Sequence, residues 1–244
     1  MKRDTQKEKV SLLRQIAWLH FFSVVLLWGS VLQVDAATIN AASCSSSAVQ
    51  SAINSATNGD TVNVPSGSCS WSSGVLIHNK SVNLIGGYGG TTTIALTGGN
   101  FVKLTRAVAG QNASRVSNFT INQTSSSTTF QIDSDGGTTP QGWRIDHITR
   151  NVTGNAFITF ADGWGHAAAS WEGLIDHNVI TNGRVVYWGE ESSTGGRYRW
   201  SEPLNLGDEH AVYIEDNTFI VTSPSATSYI NQIDGCLLYT SRCV

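Results

Sequence analysis

Three short segments place an acid directly after an aliphatic residue and a polar residue after that: Ile145-Asp146-His147, Ile175-Asp176-His177 and Ile214-Glu215-Asp216. If the aliphatics point inward and stack, Asp146, Asp176 and Glu215 point outward and form a column of carboxylates at strand spacing. Such neighbours repel by ~1 kcal/mol per pair in water, and by more when partly buried. The column needs a partner: a Ca²⁺ with oxygen ligands, an arginine such as Arg115 or Arg144, or turn N–H groups. The Ca²⁺ alternative makes these acids a metal site. Asp and Asn at turns also cap their own backbone, which leaves a purely structural column open. His147 and His177 occupy equivalent positions beside two of the acids. An imidazole next to a carboxylate serves as a general base or as a hydrogen-bonded corner residue. Asn178 and Asn217 read as an asparagine ladder in a turn, each amide bonding the next.

A second candidate lies between Trp188 and His210, the longest stretch without strand patterning. Trp188, Glu190, Arg197, Tyr198, Arg199, Trp200, Glu202 and His210 combine aromatic faces with acids and arginines, a set suited to stacking and hydrogen-bonding sugar rings. Long loops on rigid scaffolds are where function is commonly placed. Paired acids here could serve glycoside hydrolysis. A solvated loop whose tryptophans cover an open core is the competing reading. Trp164-Gly165-His166 and Trp171 pose the same choice.

Those residues need elements to hold them. Val116, Ile145, Ile175 and Ile214 anchor four related segments 29, 30 and 39 residues apart. Recurrence on that scale marks a stacked repeat. Alternation of period two runs through Thr61–Val64, Val75–Ile77, Ser81–Ile85, Thr93–Leu96, Phe101–Leu104, Ala156–Phe160 and Arg184–Trp188, with Pro65-Ser66-Gly67 and Gly/Thr/Asn stretches as turns. The 24 glycines and only 4 prolines suit many tight corners joining strands that all donate to a ladder. Before them, Ser47 to Gln50 has capping-box spacing and Val49, Ala52, Ile53 and Ala56 recur at helical intervals. The expected fold is all-β, a right-handed parallel β-helix with a short N-terminal helix covering its apolar end and free strand edge.

From Ala37 to about Asp234 the chain resembles the pectin lyase-like superfamily. The resemblance rests on Ala41-Ala42-Ser43-Cys44 before a helix, on Gly59-Asp60-Thr61-Val62-Asn63-Val64-Pro65-Ser66-Gly67, and on the Ile-Asp-His and Ile-Glu-Asp-Asn-Thr-Phe segments. Trp143-Arg144-Ile145-Asp146-His147 is similar to a Trp-Ile-Asp-His stretch of pectate lyases, with Arg144 inserted. In those enzymes the stretch is not the calcium-binding catalytic site, so the resemblance transfers no catalytic role to Asp146 or His147. It implies a polysaccharide substrate, with Ca²⁺ as the cofactor of a lyase.

The first 36 residues follow another pattern. Basic residues up to Arg14, an apolar run from Ile16 to Leu32 and Val34-Asp35-Ala36 have the order of a secretory signal cut after Ala36. An uncleaved anchor is the alternative, since the run approaches the length of a span. Cleavage leaves no stable membrane span. It takes the formal charge from −3 to near −5, with no basic stripe, which excludes nucleic acid as a natural partner. Export favours disulfides, and Cys44 and Cys69, which bracket the first unit, are expected to pair. The segment 235–244, with Cys236 and Cys243, lacks strand patterning. It reads as read-through after a truncation at Asp234 or as a terminal hairpin. Residues 37–234 are then the β-helix domain, secreted or held at the cell surface or in a periplasm. Two functions follow: an enzyme cleaving polysaccharide, as a lyase or glycoside hydrolase, or a non-catalytic carbohydrate-binding or adhesin-like β-helix.

Overall fold

The computed structural model describes residues 36–105, 114–125, 127–133, 142–152, 156–161, 173–188, 212–222 and 231–233. Residues 1–35 and the tail from 234 onward lie outside them. Among the described residues the chain is almost wholly parallel β structure with one helix, α1 (Ser46–Ser55).

One sheet carries β1 (Thr38–Asn40), β2 (Thr61–Trp71), β4 (Asn83–Leu96), β6 (Arg115–Gln123), β8 (Trp143–Val152), β10 (Gly173–Asp176) and β13 (Val212–Glu215) in that order. Beyond the bend that ends β10, β11 (Val179–Thr181) pairs with β8 and with β14 (Thr218–Ile220). The second sheet carries β3 (Val75–His78), β5 (Val102–Thr105), β7 (Phe130–Asp133), β9 (Ala156–Ala161), β12 (Arg184–Trp188) and β15 (Asn231–Ile233). The chain alternates between the sheets, and each visit adds one parallel strand beside the last. The repeat anchors pair in register, Val116 with Ile145, Ile145 with Ile175 and Ile175 with Ile214.

Alternate residues of both sheets close on a core of Val62, Leu84, Ile94, Val116, Ile121, Ile145 and Ile175, all fully buried. Aromatic rings continue it. Trp71 stacks on Phe101 at 5.1 Å, Phe101 meets Phe119 and Phe130 edge-on, and Phe130 meets Phe157 the same way at 5.3 Å. One charge is enclosed as well. Arg150 donates from Nε to Thr129 Oγ1 at 2.6 Å, and burial pushes its guanidinium down to about 9. A Cβ on Gly183 would come within 2.5 Å of Arg150 Nη1, so the glycine makes room for this side chain.

Helix α1 is capped by Ser45, not Ser47: the Ser45 hydroxyl accepts from the Ala48 N–H at 3.3 Å. Gln50, free of the expected capping box, pairs with the outer edge of β3. Its Oε1 accepts from Leu76 N at 2.7 Å and its Nε2 donates to Leu76 O at 3.0 Å. One amide thus stands in for a neighbouring strand at the end of the second sheet. Lys80 closes the other helix end by donating to Ile53, Asn54 and Ala56 carbonyls. Cys44 and Cys69 are disulfide-bonded, with Cα atoms 5.8 Å apart.

Two expected turns are not breaks. Strand β2 continues through Pro65-Ser66-Gly67, and β4 through Gly86–Thr91, each with a shift of register. Pairing of β4 with β6 passes from Ile85–Ser117 directly to Thr92–Phe119, so six residues of β4 stand opposite the single Asn118. This insertion shapes the site described next.

Candidate functional site

The expected acid column forms in register: Ser117 of β6 beside Asp146 of β8, then Asp176 of β10, then Glu215 of β13. Its orientation differs from expectation. Asp146 is fully buried and Asp176 is 2% exposed, so neither faces solvent. Each is covered by an arginine from the preceding strand of the sheet, two residues before the column. Arg115 grips Asp146 through Nε–Oδ1 at 2.8 Å and Nη2–Oδ2 at 2.5 Å. Arg144 grips Asp176 through Nε–Oδ1 at 2.9 Å and Nη2–Oδ2 at 2.5 Å. Such bidentate pairs are the strong form of charge-assisted hydrogen bond. The stagger arises because the arginine column is one strand out of step with the acid column. It ends where Leu174 and Tyr213 replace arginine, leaving Glu215 half-buried without a bidentate partner of this kind among the described residues.

His147 and His177 complete the arrangement. Each donates from Nδ1 to the Oδ2 of the preceding aspartate at 2.7 Å, and the two rings stack with centroids 5.3 Å apart and planes 6° from parallel. Both residues have a left-handed backbone, φ 53° and 55°, as do Asn118 at 64° and Asp216 at 52° in the equivalent places. Asn, Asp and His are the non-glycine residues that tolerate this conformation best. The turn therefore explains why these three residue types occupy the four equivalent positions. The next column is the asparagine ladder. Asn178 Oδ1 accepts from Ile148 N at 2.9 Å, and its Nδ2 donates to Ile145 O at 3.0 Å and Asn217 Oδ1 at 2.9 Å. Asn217 repeats the pattern toward Ile175 O at 2.7 Å.

These contacts show the partners that Asp146 and Asp176 take. Both oxygens of Asp146 and of Asp176 are already engaged, and both groups are shielded from solvent. Ca²⁺ takes six to eight oxygen ligands, and this donor set does not fit it. Arginine is the partner instead. Among the described residues, no group of three or more His, Cys, Asp or Glu is placed to hold a metal ion. The two imidazoles do not substitute, because stacked parallel rings direct their in-plane nitrogens along parallel lines that never converge on one ion.

Burial by itself would raise the Asp146 and Asp176 carboxyls. The arginine and histidine bonds outweigh it and hold both below the ordinary carboxylate range. Asp60 is lowered too, by the Thr57 and Ala37 N–H groups it accepts from. A lowered folded-state pKa contributes stability that is present above the unfolded value of about 3.9 and lost as pH falls through the folded one. Thermal melts across pH 2–7 are thus expected to stay level down to about pH 5 and fall steeply below about pH 4. Asp146→Asn with Asp176→Asn should flatten this profile in part, Asp60 retaining the remainder. An unchanged acid limb in that double variant would place the titrating groups elsewhere.

Beside the histidine corner is a groove of about 290 Å³, lined by Gly86, Gly87, Gly90, Thr91, Asn118, Phe119, Thr120, His147 and Thr149. Its wall is the six-residue insertion of β4. Gly86 packs so closely that a Cβ there would lie 2.4 Å from Asn118 O, and Gly87 has φ 79°. Between the lining glycines stands Tyr88, 58% exposed. Sequence reasoning passed over Tyr88, although one aromatic flanked on each side by two glycines was a visible signal of an exposed ring.

Of the second candidate set, Trp188 ends β12, and its side chain lies outside the described residues. Glu190, Arg197, Tyr198, Arg199, Trp200, Glu202 and His210 lie outside them too, as do Trp164, His166, Trp171, Cys236 and Cys243. No described helix is long and apolar enough to cross a membrane. Comparison with known protein families, with characterised proteins and with solved structures finds no match for this chain, so function is argued from its residues and their geometry.

Proposed function

We propose that this protein is an exported, right-handed parallel β-helix of the pectin lyase-like kind that binds extracellular polysaccharide in the groove beside the histidine corner. The observation that carries the reading is the groove itself: an open cleft running across parallel strands, floored by Thr120 and Thr149 and edged by Asn118 and His147. Hydroxyl, amide and imidazole groups on a rigid sheet suit the edge hydroxyls of sugars, and an elongated polymer can lie across successive strands. Export is supported by the signal-like order of the first 36 residues and by the Cys44–Cys69 disulfide.

A second reading, cleavage of the bound polymer, has one specific observation in its favour. His147 lines the groove, and its Nδ1 is held by Asp146 at 2.7 Å, which leaves Nε2 as the ring nitrogen available to a ligand. A carboxylate that orients an imidazole in this way is the arrangement of a general base. The two readings separate in one experiment. The purified chain is incubated with a panel of neutral and acidic polysaccharides, bound protein is measured by depletion, and reducing ends and ultraviolet-absorbing unsaturated ends are followed. Binding without product is the expected result. Product that disappears in His147→Ala would establish the second reading, and neither binding nor product on the panel would overturn both.

A further inference from the structure

We infer that the groove is specific for neutral polysaccharide, with Tyr88 as the stacking platform for a sugar ring; this rests on the glycan-binding reading above and names its substrate class. The first support is the charge pattern around the groove. Thr93, Thr120 and Thr149 stand in one register column of the outer face, and Ala95, Asn122 and Asn151 in the next. Between them, Ile94, Ile121 and Arg150 turn inward and are buried. The six outward positions bear no formal charge. Asn151 Nδ2 donates to Asn122 Oδ1 at 3.0 Å, so the amides form a surface ladder.

The two arginines of the neighbouring acid column are already committed. The guanidiniums of Arg115 and Arg144 are each held by both oxygens of a buried aspartate. A polyuronate entering the groove would meet no uncommitted guanidinium in this pair, and the chain as a whole is acidic, with a formal charge of −3. Bidentate cation clamps are how proteins commonly select carboxylates. Here both such clamps are closed on the protein's own acids. A neutral polymer pays no comparable repulsion and finds hydroxyls and amides able to both donate and accept.

The second support is Tyr88. It is the most exposed large hydrophobic side chain among the described residues, at 58%, and it stands on an insertion that faces one residue of the neighbouring strand. Gly89 and Gly90 beside it have φ 83° and 153°, backbone that favours glycine. The insertion thus carries one exposed aromatic side chain between glycines that line the cleft. An aromatic face offers apolar contact to the C–H face of a sugar ring, while the threonine and asparagine columns take its hydroxyl edge.

Affinity electrophoresis of the full chain in gels containing hydroxyethyl cellulose, galactomannan, polygalacturonate or alginate tests this. Retardation by a neutral polymer is expected. Tyr88→Ala should weaken it at least tenfold, and Thr120→Glu should do the same by placing a charge on the groove floor; circular dichroism confirms that each variant folds. Retardation by the uronate polymers alone would overturn neutral specificity while leaving glycan binding in place. Neutral retardation that survives both substitutions would overturn the assignment to this groove. Absence of retardation in every gel would overturn the inference together with the reading beneath it.

Discussion

Replacing Asp146 with alanine is expected to cost about 2–3 kcal/mol of stability, a fall in Tm of roughly 5–10 °C for a domain of this size. The carboxylate is fully buried and accepts from Arg115 through both oxygens and from His147 through one. Its removal leaves three N–H donors, two of Arg115 and one of His147, aimed at a void. Breaking a fully buried pair costs more, about 3–5 kcal/mol. The smaller figure applies here because the Arg115 side chain is 41% exposed and can rehydrate. A double-mutant cycle with Arg115→Ala should return a coupling of at least about 1 kcal/mol. Thermal melts with chelator supply a second readout. Wild-type Tm is expected to be indifferent to chelator, since arginine and not Ca²⁺ neutralises the acid. A chelator-sensitive wild type that melts like Asp146→Ala would restore the metal site.

Loss of the Cys44–Cys69 bond should cost about 3.5 kcal/mol, from the chain entropy released by opening a loop of 25 residues. The consequence is not confined to the denatured state. Cys44 directly precedes the N-cap Ser45, and its carbonyl accepts from the buried Trp71 Nε1 at 2.8 Å. The bond therefore pins α1 to β2, and α1 carries Gln50 against the open edge of β3. Cys44→Ser with Cys69→Ser should lower the denaturation midpoint and raise light scattering as that edge becomes available to other chains. Reductant should do the same to the wild type. Equal midpoints with and without reductant, with the bond shown to be reduced, would mean that packing alone holds the cap.

Much of this molecule was legible in its sequence. Stacking of Val116, Ile145, Ile175 and Ile214 followed from recurrence, because an inward aliphatic in a parallel stack has to meet its counterpart in the next strand. The helix, its role over a strand edge, the disulfide and the asparagine ladder were readable for similar reasons: each depends on local spacing or on one repeated position. Strand β7 was not anticipated, being four residues between masking polar stretches, although Phe130 and Ile132 alternate as core residues should.

What the sequence could not decide was which arginine neutralises which acid. Arg115 lies 31 residues before Asp146, and Arg144 lies 2 residues before it yet grips Asp176 instead. Only the stagger between neighbouring strands sets that pairing. The same holds for burial. Period-two alternation places Asp146 on the outer face, but the left-handed turn at His147 breaks the alternation, and both Ile145 and Asp146 end up shielded. The groove, too, belongs to tertiary structure. The tract from Gly86 to Thr91 looks like any glycine-rich turn until β4 and β6 pair. Six residues then stand opposite one, and Gly86, Gly87, Gly90 and Thr91 form a wall beside Thr120 and His147, with Tyr88 carried between the glycines.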